Sequence, residues 1–401
     1  MIRKTSCPYN HVRLGDILEF SRNGLTVKQS AVSDGLPITR IETIYEGEVD
    51  LGRVGYGGIE KKGNEKWLLR RGDILFSHIN SIPYLGKCAI FDRDEEVIHG
   101  MNLLCLRPMK SVVYPKYLLY AIRTGQFRRQ LEKYIKPAVN QASLAISDIK
   151  TIEIPMPPLS GQRRIAAILD KADAIRRKRQ QAIQLADEFL RSVFLDMFGD
   201  PARNPKAWPK GTIRDLVSEV KYGTSKKANK TNGKYPILRM NNITYQGDLD
   251  LADLKYVDLG ENEETKYLAK KGDLLFNRTN SKDLVGKTTV YDLESPMAIA
   301  GYLIRVRSNN KSNPYYISAY LNSKHGKTTL YSICKNIIGM ANINAQELQD
   351  IGILIPPVHL QNQYAEIVNN VKQKRATLIK SLDDSITLAK SLTQRAFRGE
   401  L

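Results

Sequence analysis

The sequence predicts an α+β chain made of two copies of one module, each a domain of strands and short helices followed by a long helix. The two helices are expected to pair as an antiparallel coiled coil, with pseudo-twofold symmetry relating the copies. Three observations predict this: self-similarity at a spacing near 200 residues, a heptad seam in two equivalent segments, and a proline pair ahead of each seam.

The repeat is clearest where Arg71-Gly72-Asp73-Ile74-Leu75-Phe76-Ser77-His78-Ile79-Asn80-Ser81 recurs as Lys271-Gly272-Asp273-Leu274-Leu275-Phe276-Asn277-Arg278-Thr279-Asn280-Ser281. Gly86-Lys87 recurs in step as Gly286-Lys287, and Pro37-Ile38-Thr39-Arg40 matches Pro236-Ile237-Leu238-Arg239. A period of this length is too long for a solenoid and indicates a duplicated module. The expected boundaries are a first domain at 1–155, a first helical segment at 156–200, a second domain at 201–355 and a second helical segment at 356–401. Short apolar alternations, frequent glycines and scattered prolines mark the domains as strands and turns with a few helices, the longest near Pro115 to Tyr134.

In the helical segments, Ile165, Ile168, Ala172, Ile175, Arg179, Ala182, Ala186, Phe189 and Val193 alternate by three and four. The second series is Tyr364, Val368, Val371, Arg375, Leu378, Leu382, Ser385, Ala389, Leu392 and Ala396. Such series are coiled-coil seams. Pro157-Pro158 and Pro356-Pro357 fix the starts, and each helix should run roughly 50 Å. The run Arg176-Arg177-Lys178-Arg179 reads as a solvated helix face.

Composition narrows the function. The chain has 401 residues with 61 Lys+Arg against 42 Asp+Glu, a formal net charge of +19. That excess points to a polyanion, nucleic acid before membrane. Cys7, Cys88, Cys105 and Cys334 lie far apart without CxxC spacing, which excludes a zinc ribbon or disulfide framework and suggests a reducing cytoplasm. Met1-Ile2-Arg3-Lys4-Thr5-Ser6 leads into no apolar leader, so a soluble cytoplasmic protein is expected.

Catalytic signatures are missing. Gly286-Lys287-Thr288 and Gly326-Lys327-Thr328 resemble P-loop ends, but Ser281 and Leu321 stand where the first glycine belongs. Gly52, Gly55, Gly57 and Gly58 fit no GxGxxG spacing, and the five histidines show no ligand spacing. There is no Asn-Pro-Pro-aromatic or Asp-Pro-Pro-aromatic tetrad of the amino-methyltransferase kind, and carboxylates such as Asp50 and Glu60 form no evident nuclease set. A non-catalytic binding protein is expected.

The residues then carry a resemblance. Pro157-Pro158-Leu159 followed by Gln162-Arg163-Arg164-Ile165-Ala166, the Lys/Arg-Gly-Asp-x-Leu-Phe motif, and Arg395-Ala396-Phe397-Arg398-Gly399-Glu400-Leu401 resemble the specificity subunit of type I restriction-modification enzymes. The resemblance covers essentially the whole chain. It implies that each domain is a target recognition domain reading one half of a bipartite double-stranded DNA site. The helices would act as spacer and as docking surface for two methyltransferase subunits, and a motor-nuclease subunit would join. It implies no cofactor in this chain, with S-adenosylmethionine, ATP and Mg²⁺ held by the partners. Gln162, Arg163, Arg164 and Gln361 are the expected partner-binding residues. The second copy departs from the pattern at Gln361-Asn362-Gln363, which lacks the two arginines.

Comparing the copies sorts the candidate DNA contacts. Shared positions serve the fold or phosphate: Arg40 and Arg239 are phosphate candidates, with a surface ion pair as the alternative. Asn80, Ser81 and Lys87, with Asn280, Ser281 and Lys287, either bind phosphate or shape a loop. The contrast of Ser77-His78-Ile79 with Asn277-Arg278-Thr279 should carry sequence choice, Arg278 suiting guanine and Asn277 adenine. Three other readings stay open: a free-standing nuclease or methyltransferase, a nucleic-acid scaffold outside any restriction system, and the specificity subunit of a type II-like methyltransferase-nuclease.

Overall fold

The computed structural model describes residues 8–32, 34–138, 141–337 and 340–401, so Cys7 and the opening six residues lie outside it. The chain forms two compact units. One comprises residues up to Arg179 together with Ser381–Leu401, and the other comprises Gln180–Lys380. The division falls inside the two long helices, Leu159–Phe198 and Val358–Phe397, rather than at their starts.

Each unit is organised around a four-stranded antiparallel sheet. In the first the order is Leu18–Asn23, Leu104–Pro108, Ile74–Phe76, Cys88–Ile90. In the second it is Val217–Tyr222, Leu303–Ser308, Leu274–Asn277, Thr288–Val290. The interior strand reads Ile-Leu-Phe or Leu-Leu-Phe because both of its faces are covered. Ile74 and Phe76 enter one core with Leu104 and Leu106, while Leu75 enters another with Ala89 and Cys105. Leu274 and Phe276 likewise separate from Leu275. The period-two geometry of a strand requires this split.

The glycine-aspartate pair ahead of the strand has a physical role in both copies. Gly72 (φ +101°) and Gly272 (φ +93°) turn the chain through the left-handed region. Asp73 Oδ2 then accepts from the Arg70 amide at 2.8 Å. Its two oxygens take Arg107 Nε and Nη2 at 2.7 and 2.6 Å in a buried fork. Asp273 repeats this with the Lys270 amide and Arg307 Nε, both at 2.9 Å. The second unit adds Arg305, fully buried where the first has Cys105, donating to Leu268 O at 2.6 Å and to Glu219 at 3.1 Å.

The helices pack end to start within each unit. In the first, Ile165, Ala166 and Leu169 share a core with Ala396 and Phe397, and Arg179 Nη1 donates to Ser381 O at 2.5 Å. In the second, Phe194 and Phe198 meet Tyr364 at ring distances of 5.8 and 5.5 Å, and Arg375 pairs with Asp187 at 3.1 Å. The helical segments therefore run antiparallel in each unit, and the α+β expectation of two duplicated domains with paired long helices is met. The second seam is at least partly buried throughout. The first departs from expectation at Ile175 and Phe189, which are 48% and 52% exposed. A strict heptad drifts against a 3.6-residue turn, and Leu190, Phe194 and Phe198 take the buried stripe instead. The basic run is also less solvated than expected, since Arg177 pairs with Glu48 and Arg179 caps Ser381 O.

Gln162 and Gln361 are corrected by the structure. They are 1% and 0% exposed and cannot dock a partner. Gln162 Oε1 accepts from the Tyr114 amide at 2.8 Å, and its Nε2 donates to Pro157 O at 2.9 Å and Val112 O at 3.2 Å. Gln361 makes the equivalent bonds to the Asn313 amide, Pro356 O and Lys311 O at 2.9, 2.8 and 3.2 Å. Each glutamine clamps the first helical turn to its domain.

The Asp73–Arg107 fork leads to a stability prediction. Asp73→Ala strands a buried guanidinium and should cost about 3–5 kcal/mol. Arg71→Ala breaks only exposed pairs to Asp92 and Asp94 and should cost under about 1 kcal/mol. Urea unfolding of the two variants checks this, and equal midpoints would contradict it.

Candidate nucleic-acid interface

The register Phe76↔Leu104 means that residues 77–79 and 101–103 leave the same end of the first sheet. Residues 278–280 and 301–302 do so in the second, where the Asn277↔Leu303 pair closes the ladder. Loops at this end are anchored by a rigid strand and are free to vary beyond it.

Ser77 and Asn277 do not reach that surface. Both are 0% exposed, which corrects their assignment to base contact. They instead hold the next turn: Asn80 Nδ2 donates to Ser77 Oγ at 3.3 Å, and Asn280 Nδ2 to Asn277 Oδ1 at 3.1 Å. Asn80 and Asn280 then accept from the amides of Ser81 and Ser281 at 2.8 and 2.9 Å. Of the two alternatives for these asparagines, the structure displays loop shaping. Ser81 and Ser281 remain exposed beside them.

His78 is also corrected, being 4% exposed; burial pushes its pKa down to about 4 and leaves the ring neutral. Arg278 differs. It is half-buried, with Nη2 donating to Asn342 Oδ1 at 3.1 Å and its guanidinium 4.8 Å from the Tyr222 ring. Its amide donates to Tyr302 O at 3.0 Å, and Tyr222 and Tyr302 are both half-exposed at this end. In the first unit, Asn23 stands at the place of Tyr222 and Arg22 at that of Lys221. The Arg22 guanidinium lies 4.5 and 4.9 Å from the Phe20 and Trp67 rings, and the exposed apolar groups are Ile79 and Met101. The two loop ends thus present different chemistry on one scaffold. Sequence reasoning missed Tyr222, Tyr302, Arg22 and Met101. The Asn23/Tyr222 difference was available as a signal, because each stands just before a matching glycine, Gly24 or Gly223, at the end of matching strands.

The basic candidates are partly engaged. Arg40 donates from Nε to Gln29 Oε1 at 2.9 Å and from Nη2 to Ser30 O at 3.0 Å. Arg239 pairs with Asp253 at 2.8 Å, the surface ion pair held open as its alternative. Lys87 donates to Tyr45 O at 3.0 Å and lies 4.4 Å from both the Tyr45 and Tyr84 rings. Lys287 is 6% exposed and donates to Met240 O at 2.8 Å; burial lowers its pKa. Arg163 and Arg164 are exposed at the first helix start, with Arg163 stacked 5.1 Å from the Tyr114 ring. Where the second copy lacks these arginines, Asn313 Nδ2 donates to Asn362 Oδ1 at 2.9 Å, so Asn–Asn bonding replaces the Arg–Tyr stack.

Among the described residues, no group of three or more His, Cys, Asp or Glu is placed to hold a metal ion, and no helix is long and apolar enough to cross a membrane. Gly326 lies inside a helix, Lys324–Ile333, so Gly326-Lys327-Thr328 is not a phosphate loop.

A duplicated scaffold bearing divergent exposed loop ends is the architecture of a two-part recognition protein. The chain belongs to the type I restriction modification DNA specificity domain family, whose pattern matches residues 8–185 and again 205–388. It is similar to the EcoKI specificity subunit of Escherichia coli K12, 24% identical over 390 residues, with 92% of this chain and 83% of that protein covered. A Methanocaldococcus jannaschii protein assigned as the type I restriction enzyme MjaX specificity subunit is 40% identical over 209 residues, 51% of this chain and 49% of that one. The fold is shared with the type I restriction-modification S subunit from M. genitalium (TM-score 0.62, 15% identity, 99% and 98% of the chains covered). A chain from a structure of type I R-M complex assembly and conformational transition gives a TM-score of 0.53 at 18% identity, covering 99% of each. The resemblance to specificity subunits read from the sequence is borne out.

The buried histidines set a pH dependence. His99, like His78, is pushed down to about 4 by burial, its Nε2 donating to Leu103 O at 2.9 Å. Unfolding frees both rings to titrate near 6.5, so between about pH 4 and 6.5 the unfolded chain binds more protons. Stability should be fully present above pH 6.5 and fall as pH drops toward 4. The slope of urea midpoint against pH should be shallower in His78→Gln, and an unaltered slope would contradict the assignment.

Proposed function

We propose that this chain is the non-catalytic specificity subunit of a type I restriction-modification complex. Each unit reads one part of a bipartite double-stranded DNA target. The long helices dock two methyltransferase subunits, and motor-nuclease subunits complete the assembly. S-adenosylmethionine, ATP and Mg²⁺ belong to those partners. Arg163 and Arg164, exposed at the first helix start, are the docking residues kept in this reading, and the face at the second helix start is chemically different. Arg40, Arg239 and Lys87 supply sequence-independent attraction to phosphate, and Arg278 supplies a base contact.

The observation that carries this reading is the contrast between scaffold and loop end. The Asp–Arg fork, the glutamine clamp and the strand register recur in both units, whereas the loop end of the second unit carries Arg278 over Tyr222 and that of the first carries a buried His78 and the Arg22 stack. A shared frame with unequal tips suits two unlike half-sites.

Arg278→Ala should lose about 1–3 kcal/mol of discrimination at one base pair of one half-site. Methylome sequencing of cells carrying the variant should show one position of the target relaxed and the other half-site intact. A uniform loss of methylation with no relaxed position would show that Arg278 does not read a base.

A further inference from the structure

Lys327, on the helix Lys324–Ile333, belongs to none of the features above. Among the described residues its buried ammonium has no hydrogen-bond partner, and no carboxylate lies within 4.0 Å of it or of Lys287. Burial first, and then the neighbouring Lys287 charge, bring its pKa down to about 8. The half-exposed Tyr245 ring stands 4.8 Å from it. An unpaired buried cation beside a second one is costly unless an anion arrives.

The first unit has the same walls with the cation used differently. There Tyr45, Gly47, Gly86, Lys87, Arg123 and Arg128 line a cleft of about 510 Å³. Arg128, at the place of Lys327, donates to Leu85 O and, at 3.1 Å, to Ile82 O, tying down the loop before Lys87. Arg123 donates to Cys88 O at 2.9 Å. In the second unit Asn322 replaces Arg123 and leaves its buried Oδ1 unpartnered, and Gln246 replaces Glu46. The second unit has therefore lost both an acid, Glu46, and a guanidinium, Arg123. In place of the hydrogen-bonded Arg128 it has an ammonium that, among the described residues, meets only the Tyr245 ring.

We propose that Lys327, with Lys287 and Tyr245, forms a phosphate-binding subsite of the second unit, a proposal resting on the DNA reading above. Rotation of the exposed Tyr245 side chain uncovers the ammonium. An anionic phosphate oxygen then accepts from it and relieves the repulsion between the two lysines. The phosphate comes from a DNA backbone or from free solution.

Two measurements on the full chain separate these sources. First, lysines are ¹³C-dimethylated, and the Lys327 signal, assigned by its loss in Lys327→Arg, is titrated with inorganic phosphate; its midpoint should move upward from about 8. Second, duplex binding is followed by fluorescence anisotropy across a salt series. Lys327→Met should flatten the log–log slope by about 0.9, one phosphate contact, without changing the preferred sequence, and Lys327→Arg should retain the slope. A flattened slope supports a backbone phosphate. A shifted signal with an unchanged slope supports a site for free phosphate and overturns the DNA source. A silent signal with an unchanged slope overturns the subsite while leaving DNA recognition standing. A chain that binds no duplex yet shows the phosphate shift overturns the recognition reading while leaving the subsite.

Discussion

One buried carboxylate in each unit, Asp73 or Asp273, governs where the recognition loop begins. It closes the glycine turn through a backbone amide and grips an arginine on the neighbouring strand. Those two bonds fix the phase of a three- or four-residue strand whose side chains must divide between two cores. A slip of one residue would exchange the faces and move every polar group that follows. The Asn80 and Asn280 turns, and the amides that carry them, inherit their position from this constraint.

A second constraint links the domains to the helices. Gln162 and Gln361 have identical roles, each satisfying one amide and two carbonyls with a buried side chain. Burying a primary amide is tolerated because its donors and acceptor are all used. Outside the helix starts, Glu48–Arg177 and the Asp187–Arg375–Asp248 cluster fasten each domain's turn to a helix of its own unit. Loop tips carried on such a frame can change chemistry without disturbing it.

Much of this was legible in the sequence. The duplication, the long helices and the Gly-Asp turn with its strand follow from spacing and periodicity, which are local. Burial was less legible. Ser77 and Asn277 stand in the stretch of greatest contrast between copies, yet they are buried, because their amides still donate to Lys87 O and Lys287 O and hold them against the sheet. The glutamines in the helix motif were expected to bind a partner because of the family resemblance, and only the carbonyls at 112, 157, 311 and 356 explain why they are buried instead. Lys327 was noticed for its glycine neighbour; its isolation depends on Tyr245 and Asn322, which no linear pattern places beside it. The Arg163–Tyr114 stack and its Asn362–Asn313 replacement show the same limit, since 49 residues separate the partners in each copy.

The central claim is that each unit reads its own part of the target on a common frame. The most direct measurement is the methylated motif in cells whose chain carries residues 201–355 exchanged for the equivalent domain of a relative with a different target. The account predicts a motif in which one half-site is replaced and the other is retained unchanged. A motif altered in both halves, or unaltered in either, would contradict it.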